Sequence, residues 1–393
     1  MTPQTYDPPA ELSGVARKAW IVAAIGTIAC AAGFVLDSTR FYQSYLVAWV
    51  FVAGIALGCL AFMMLHHLSG GAWGLMVRRI FEAATRSIPV LVVLFVPIVI
   101  GLQEIFVWAR PEVVAEDPLI QQKAAYLNPT GFVLRAAAYF VIWIGLSMIL
   151  NRMSKKQDEG GDERGLFFRR MQTVSGPGLG LFALAGTFAS VDWMMSLDPH
   201  WYSSLYGVSY LAGQGIAGLS FVVLVALWLS SRAPMDDVFK PNHFHDYGKL
   251  ILAFVMLWTY FALSQLLIIW SGNLPEEVTF YLERVEGNWK WLSIALALFH
   301  FALPFVLLLS RDLKRNVKKL ARVAVLLLVV RWFDIYWQAA PGFHRHGLAF
   351  HWLDLATILA IGGVWVAVFA RELGKRPLLP INDPFLAEAM TDE

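Results

Sequence analysis

The sequence lacks most of what a soluble enzyme is built from. Its two cysteines, Cys30 and Cys59, both lie in apolar runs, and neither sits in a CxxC or CxxCH arrangement. That excludes covalent haem c attachment, a cysteine-ligated iron–sulfur cluster and a disulfide framework on this chain. HExxH zinc spacing, a GxSxG nucleophile elbow and a phosphate-binding P-loop are also missing. Charged residues amount to 15% against 58% hydrophobic, and the net charge is only +2. A chain of 393 residues with that balance has more apolar surface than one soluble core can hide, and it carries no electrostatic signature for nucleic acid.

What is present is length without charge. Runs of about 20 apolar residues, enough to span roughly 30 Å of hydrocarbon, fall at 18–36, 42–65, 87–108, 132–150, 177–196, 208–230, 249–271, 289–310, 319–340 and 351–370. None alternates with period two, so barrel strands are excluded and the expectation is an all-α integral membrane protein of ten transmembrane helices. Residues 1–17 and 371–393 are read as cytoplasmic segments around a membrane domain at 18–370. The first run is as long as a span and lacks a small-residue cleavage site, so an uncleaved helix is expected there. Helices 2–5 and 6–9 can form two four-helix bundles flanked by helices 1 and 10, although no internal sequence repeat is found.

Of the 31 Lys and Arg, 23 fall on the side shared by the two termini and the loops after helices 2, 4, 6 and 8. The other side holds Arg40, Arg110, Lys123, Arg135, Arg284, Lys290 and Arg345. This bias puts both termini in the cytoplasm. The linker Asn151 to Arg170 reads as a solvated mixed-charge loop, and the tail after Arg371 as a polar strip along the cytoplasmic face. Gly54-x-x-x-Gly58 and Gly176-x-x-x-Gly180 are spacings that permit close helix approach. The 16 Trp and 27 Phe are expected mainly at lipid-facing and interfacial positions.

Ionisable residues inside the runs are the functional candidates, because a charge in hydrocarbon is costly and normally faces a protein interior or water. Asp192 lies in the outer third of helix 5, with Gln103 and Glu104 at a similar level on helix 3 and Arg135 at the start of helix 4. These residues either carry protons or form a polar cluster that locks the bundle. His66 and His67 end helix 2; adjacent imidazoles diverge by about 100° on a helix, so at most one is expected to face inward. They either relay protons or cap carbonyls at the interface. Arg331 and Asp334 can pair on one face of helix 9. His300 on helix 8 and Tyr260, Ser264 and Gln265 on helix 7 extend a polar track at that depth, and His351 and Asp354 add polarity at the outer edge of helix 10. The histidines do not face one another at one depth, which argues against a bis-histidine haem b.

Two stretches, FYQSYLVAWVFVAGIALGCLAFMMLHHLSGGAWG (Phe41 to Gly74) and SVDWMMSLDPHWYSSLYG (Ser190 to Gly207), resemble the shorter polysulfide-reductase-type membrane subunit of bacterial alternative complex III. The resemblance implies a subunit of a quinol-oxidising electron-transfer complex that carries no redox centre of its own. Its partners would be a homologous longer membrane subunit, an iron–sulfur subunit and cytochrome c subunits. Haem c and iron–sulfur clusters would belong to those partners, and quinone would bind nearby, in the sister subunit by preference. It further implies a proton route through His66 or His67, Asp192 and Glu104, with Arg331, Asp334 and His300 as a second line. Two other classes compete: a secondary transporter with a midplane ionic site, and a purely structural membrane anchor.

Overall fold

The computed structural model describes residues 6–160, 162, 165–344 and 347–391. Arg345, part of the Asn151 to Arg170 linker and the extreme termini lie outside the described residues. Among the described residues there is no strand, and nine helices are long and apolar enough to cross a membrane. They are α1 (Glu11–Leu36), α2 (Ser38–Ser69), α3 (Arg78–Ile100), α4 (Pro129–Gly160), α5 (Leu166–Leu197), α6 (Tyr206–Leu229), α7 (Pro241–Gly272), α8 (Trp289–Leu309) and α10 (Trp352–Leu373). Between the last two runs α9 (Val317–Ala339), 23 residues long and therefore about 35 Å, completes the expected set. Lys318, Lys319 and Arg322 near its start and Arg331 and Asp334 further on set it apart in composition.

Helix α2 is the axis of the molecule. Its apolar window is 89% buried, against 22% for α7 and 28% for α1 and α8. It packs on α1, α3, α5, α6, α9 and α10, while α6 packs on α2, α5, α7 and α9. The α2–α5 and α6–α9 groups therefore meet along α2 and α6, and α1 and α10 pack tightly on each other as a pair. The α2–α6 crossing depends on Gly58 and Gly218. A Cβ on Gly58 would lie 2.1 Å from the Gln214 carbonyl oxygen, and one on Gly218 would lie 2.8 Å from the Gly58 carbonyl carbon. Small residues let backbones touch where lipid supplies no hydrophobic drive for association. Gly176 and Gly180 do not work this way; a Cβ on either has no close neighbour, and the tight contact is made by Gly178 against Leu146 and Met64.

The structure departs from the sequence reading at α3, at α8 and in the placement of the aromatics. Helix α3 begins at Arg78 rather than near residue 87, because Arg78, Arg79, Glu82 and Arg86 compensate one another and stay helical and buried or nearly so. It is also segmented: carbonyls released at its breaks are taken by the Trp49 indole, which donates to Leu91 at 3.0 Å, and by the Tyr45 hydroxyl, which donates to Leu94 at 2.9 Å. That is how broken backbone is tolerated at membrane depth. Helix α8 contains one wide π-helical turn, Ala297–Ala302, directly ahead of Pro304. On the aromatics the expectation also fails in part, since Trp49, Trp108, Trp143, Trp193, Trp289 and Trp365 are fully buried.

The two ends of the chain meet on one face. Leu378 N–H donates to the Tyr6 carbonyl at 2.7 Å, and Leu378, Leu379 and Leu386 of the tail are buried. The tail is thus docked into the protein rather than laid along its surface. On the opposite face the Arg110 to Pro129 loop folds into two short helices, Pro111–Glu116 and Pro118–Lys123, and a further helix, Pro275–Val285, covers the second bundle.

Candidate functional site

The ionic pair of the second bundle is buried inside the protein. Arg331 and Asp334, each 1% exposed, form a salt bridge on α9, and the Gln338 carboxamide donates to Asp334 Oδ1 at 3.1 Å. The Arg331 guanidinium reaches toward the Tyr210 carbonyl at 3.5 Å. It occupies the space a side chain at position 213 would need, since a Cβ on Gly213 would sit 2.2 Å from Arg331 Cζ. Taking two charges out of water costs several kcal/mol per ion, which only a close partner offsets. The pairing therefore accounts for both residues surviving at this depth.

His300 sits in the π-helical turn of α8, fully buried, with its ring 4.0 Å from that of Trp258. It lies within electrostatic range of Asp334 and Arg331. Neither of its ring nitrogens has a hydrogen-bond partner among the described residues, and the same holds for Ser220 Oγ on α6 and Tyr247 Oη on α7. Buried polar atoms left this way are rare in folded proteins. Of the helix α7 residues expected on this track, Gln265 is buried and bonded to Ser203 and Tyr281, whereas Tyr260 points outward, 64% exposed.

Asp334 and Gln338 also line a cavity of about 360 Å³ between α6, α7, α8, α9 and the helix Pro275–Val285. Arg284 of that outer helix forms part of its wall and donates to the carbonyls of Phe280, Trp337 and Gln338 at 2.7, 3.1 and 2.8 Å. Its guanidinium lies 3.5 Å over the Phe280 ring, and burial pulls its pKa down to about 10. Sequence reasoning treated this arginine as a loop charge. Its only early signal was a position between aromatic residues.

In the first bundle Asp192 is buried and held from two sides. Arg135 donates through Nε at 3.0 Å and Nη2 at 2.8 Å, and the Tyr139 hydroxyl donates at 2.6 Å. Tyr126 stacks beneath the guanidinium at 3.8 Å; burial and the nearby Asp192 charge push its hydroxyl up to about 12. The expected acid–base pairing of helices 4 and 5 is present. Glu104 does not join it; its carboxylate accepts from Thr39 on α2 instead. Between α3 and α5 the interior is filled by Trp49, Phe95, Phe140, Trp143 and Trp193, whose rings pack on one another.

His66 and His67 are both buried, at 2% and 1% exposure. The expectation that one of them faces outward fails because the chain turns at Gly70–Gly71 and packs Trp73 and Gly74 back over His66, while His67 Nδ1 lies 3.1 Å from Ser175 Oγ on α5. On α10, Asp354 pairs with Arg40 at 3.0 Å and accepts from Ser44 at 2.6 Å, and His351 caps the helix.

The largest charge cluster was not anticipated. Glu82 accepts from Arg78 at 2.9 Å, Arg79 at 2.6 Å and Ser154 at 2.6 Å. Arg78 continues to Asp383 of the tail and to Gln157, Arg79 to Asp158, and Arg86 to Glu372. Asp162 accepts from the Phe167 and Phe168 N–H groups at 3.0 Å, satisfying the start of α5. The linker read as solvated thus supplies buried partners, and the missing signal was the tail, whose Asp383 is 305 residues from Arg78.

No protein-family model and no curated protein matches the chain. Among the described residues, no group of three or more His, Cys, Asp or Glu side chains is arranged to hold a metal ion.

Proposed function

We propose that the chain is a membrane subunit of a quinol-oxidising electron-transfer complex of the alternative complex III type, carrying no redox centre and offering a proton route through its second bundle. The observation that carries this reading is the sheltered Arg331–Asp334 pair, with His300 beside it and Ser220 and Tyr247 nearer the inner end, all enclosed by protein. An intramembrane ionisable pair enclosed by protein is by default a candidate for a proton or ion pathway. The resemblance also lends support, because its two stretches form the core of the fold: α2, and the junction of α5 and α6 against which α2 packs. In the first bundle the packed aromatic rings lie between His67 and Asp192, so the route is assigned to the second bundle, and Asp192 with Arg135 locks helices 4 and 5.

In this reading the protein lies in the bacterial cytoplasmic membrane with both termini cytoplasmic. Its partners are a longer homologous membrane subunit, an iron–sulfur subunit and cytochrome c subunits, which carry the clusters and haem c. Purification from native membranes tests it. Co-elution with haem-containing and iron–sulfur subunits is expected, and a chain that elutes alone and binds a transported solute refutes it. Within the intact complex, Asp334→Asn should lower proton translocation per electron while quinol oxidation continues. Unchanged translocation removes the route.

A further inference from the structure

Helices α1 and α10 run antiparallel, and their contact fixes which residues share a level. A Cβ on Gly26 would lie 2.3 Å from the Ala360 backbone nitrogen, and one on Gly363 would lie 2.7 Å from that of Ala23. With 26 set against 360 and 23 against 363, a rise of 1.5 Å per residue puts Arg17 about 9 Å and Arg371 about 12 Å from the second pair, both toward the face where the chain ends meet. Two arginines on different helices thus stand about 3 Å apart in depth. Both line a groove of about 610 Å³ between the start of α1 and the end of α10. Its shelf is the segment Pro8 to Ala10, held in place because Leu378 N–H donates to the Tyr6 carbonyl at 2.7 Å and Leu12 N–H to the Pro9 carbonyl at 3.0 Å. Trp20 closes the end toward the hydrocarbon, and the stripe that continues from Arg17 along α1 is Ile21, Ile25 and Ile28, all exposed.

The charge in this groove is not cancelled locally. Neither Arg17 nor Arg371 has a hydrogen-bond or ion-pair partner among the described residues. Glu372, beside Arg371 in sequence, is already bonded to Arg86 and Lys375. Asp7 and Glu11 do not line the groove, so its lining holds two cations and no acid. An anion with a hydrophobic tail fits this arrangement. A zwitterionic lipid would bring a cation of its own to the same place.

We propose that this groove binds one anionic phospholipid, with its phosphodiester between Arg17 and Arg371 and its acyl chains along the stripe from Trp20 to Ile28. The site needs only that the chain spans a membrane, and it stands apart from the electron-transfer function proposed above.

The protein purified from native membranes and placed in phosphatidylcholine nanodiscs with a trace of photoreactive phosphatidylglycerol tests this. Cross-links are expected in the peptides covering residues 8–20 and 367–374, competed by unlabelled phosphatidylglycerol but not by inorganic phosphate. Arg17→Gln and Arg371→Gln should each weaken labelling roughly fivefold, and the two together about 25-fold. Replacing both by lysine keeps the charge and should restore most of the labelling. Lys18→Gln, which lies outside the groove, should change it less than about twofold. If the double glutamine variant does not fold, Ala16→Trp, which fills the groove, should cut labelling at least tenfold. Absent labelling, or labelling that survives the double glutamine or the filling variant, overturns the proposal. Equal labelling by photoreactive phosphatidylcholine overturns it in favour of a merely apolar groove, displacement by phosphate in favour of a free-anion site, and cross-links from these peptides to another subunit in place of lipid in favour of a protein interface.

Discussion

Replacing Glu82 by glutamine tests the architecture most directly. Glu82 is 1% exposed and receives Arg78, Arg79 and the Ser154 hydroxyl, with Arg86 and Arg376 at 3.8 and 3.5 Å. Glutamine keeps the volume but removes the charge on which these guanidinium groups converge. Arg78, Arg79 and Arg86 retain Asp383, Asp158 and Glu372, whereas among the described residues Arg376 has the Asn151 carbonyl besides Glu82. Removing one partner of a buried ion pair costs about 3–5 kcal/mol. Against the 5–15 kcal/mol typical of folded proteins that is a large fraction, and it corresponds to a melting temperature lower by on the order of 5–10 °C. Thermal unfolding in nanodiscs measures it, with Lys155→Ala as the control. Lys155 pairs with Glu159 at 3.3 Å, but both side chains are 62% exposed, so that loss should stay below about 1 kcal/mol. If Glu82→Gln costs no more than the control, the cluster is solvated and the docking of the tail and the 151–162 segment onto α3 is wrong.

Three further outcomes are expected. Gly58→Val should prevent stable folding, since its Cβ meets backbone at 2.1 Å, while Gly54→Ala, whose Cβ lies 3.6 Å from the Gln214 side chain, should be neutral or stabilising by up to about 1 kcal/mol; yield and melting temperature distinguish them. Asp192→Asn should cost about 1.5–3 kcal/mol through its bonds to Arg135 and Tyr139, yet leave translocation in the complex unchanged, and lost translocation would restore the first bundle as the conduit. His344 lies below its ordinary value of 6.5, through burial first and then the Arg40 guanidinium that it accepts from. The folded state therefore binds fewer protons than the unfolded chain, so stability should fall as pH drops through about 6.5. His344→Gln should remove that part of the decline in melting temperature, and an identical pH profile in the variant would refute the assignment.

Much of the fold was legible because hydropathy acts locally. Each apolar run reports its own cost of leaving the bilayer, and the runs near 42–65, 132–150 and 208–230 lie inside α2, α4 and α6 almost unchanged. Local charge pairs were legible for the same reason: Arg331 and Asp334 share a helix face whatever surrounds them. Helix boundaries failed where charges were compensated from elsewhere. Arg78 to Arg86 looked like a polar loop because the sequence does not show that Ser154, Asp158, Glu372 and Asp383 converge on them. The outward placement of one histidine failed because the returning Trp73 and Gly74 cover a surface that an isolated helix would leave exposed.

The sequence by itself determined an all-α membrane protein, the approximate position of its spans and the depth of its ionisable residues, since these follow from transfer energies and a fixed rise per residue. Only the tertiary structure decided which of those residues meet: Asp192 with Arg135 and not Glu104, the C-terminal tail with α3, and Asp334 at the edge of a cavity. The physical reason is that the partner of a buried charge is chosen by packing across the bundle. At Gly58, Gly213 and Gly218 it is a missing side chain that sets how closely the helices, or the Arg331 side chain, can approach.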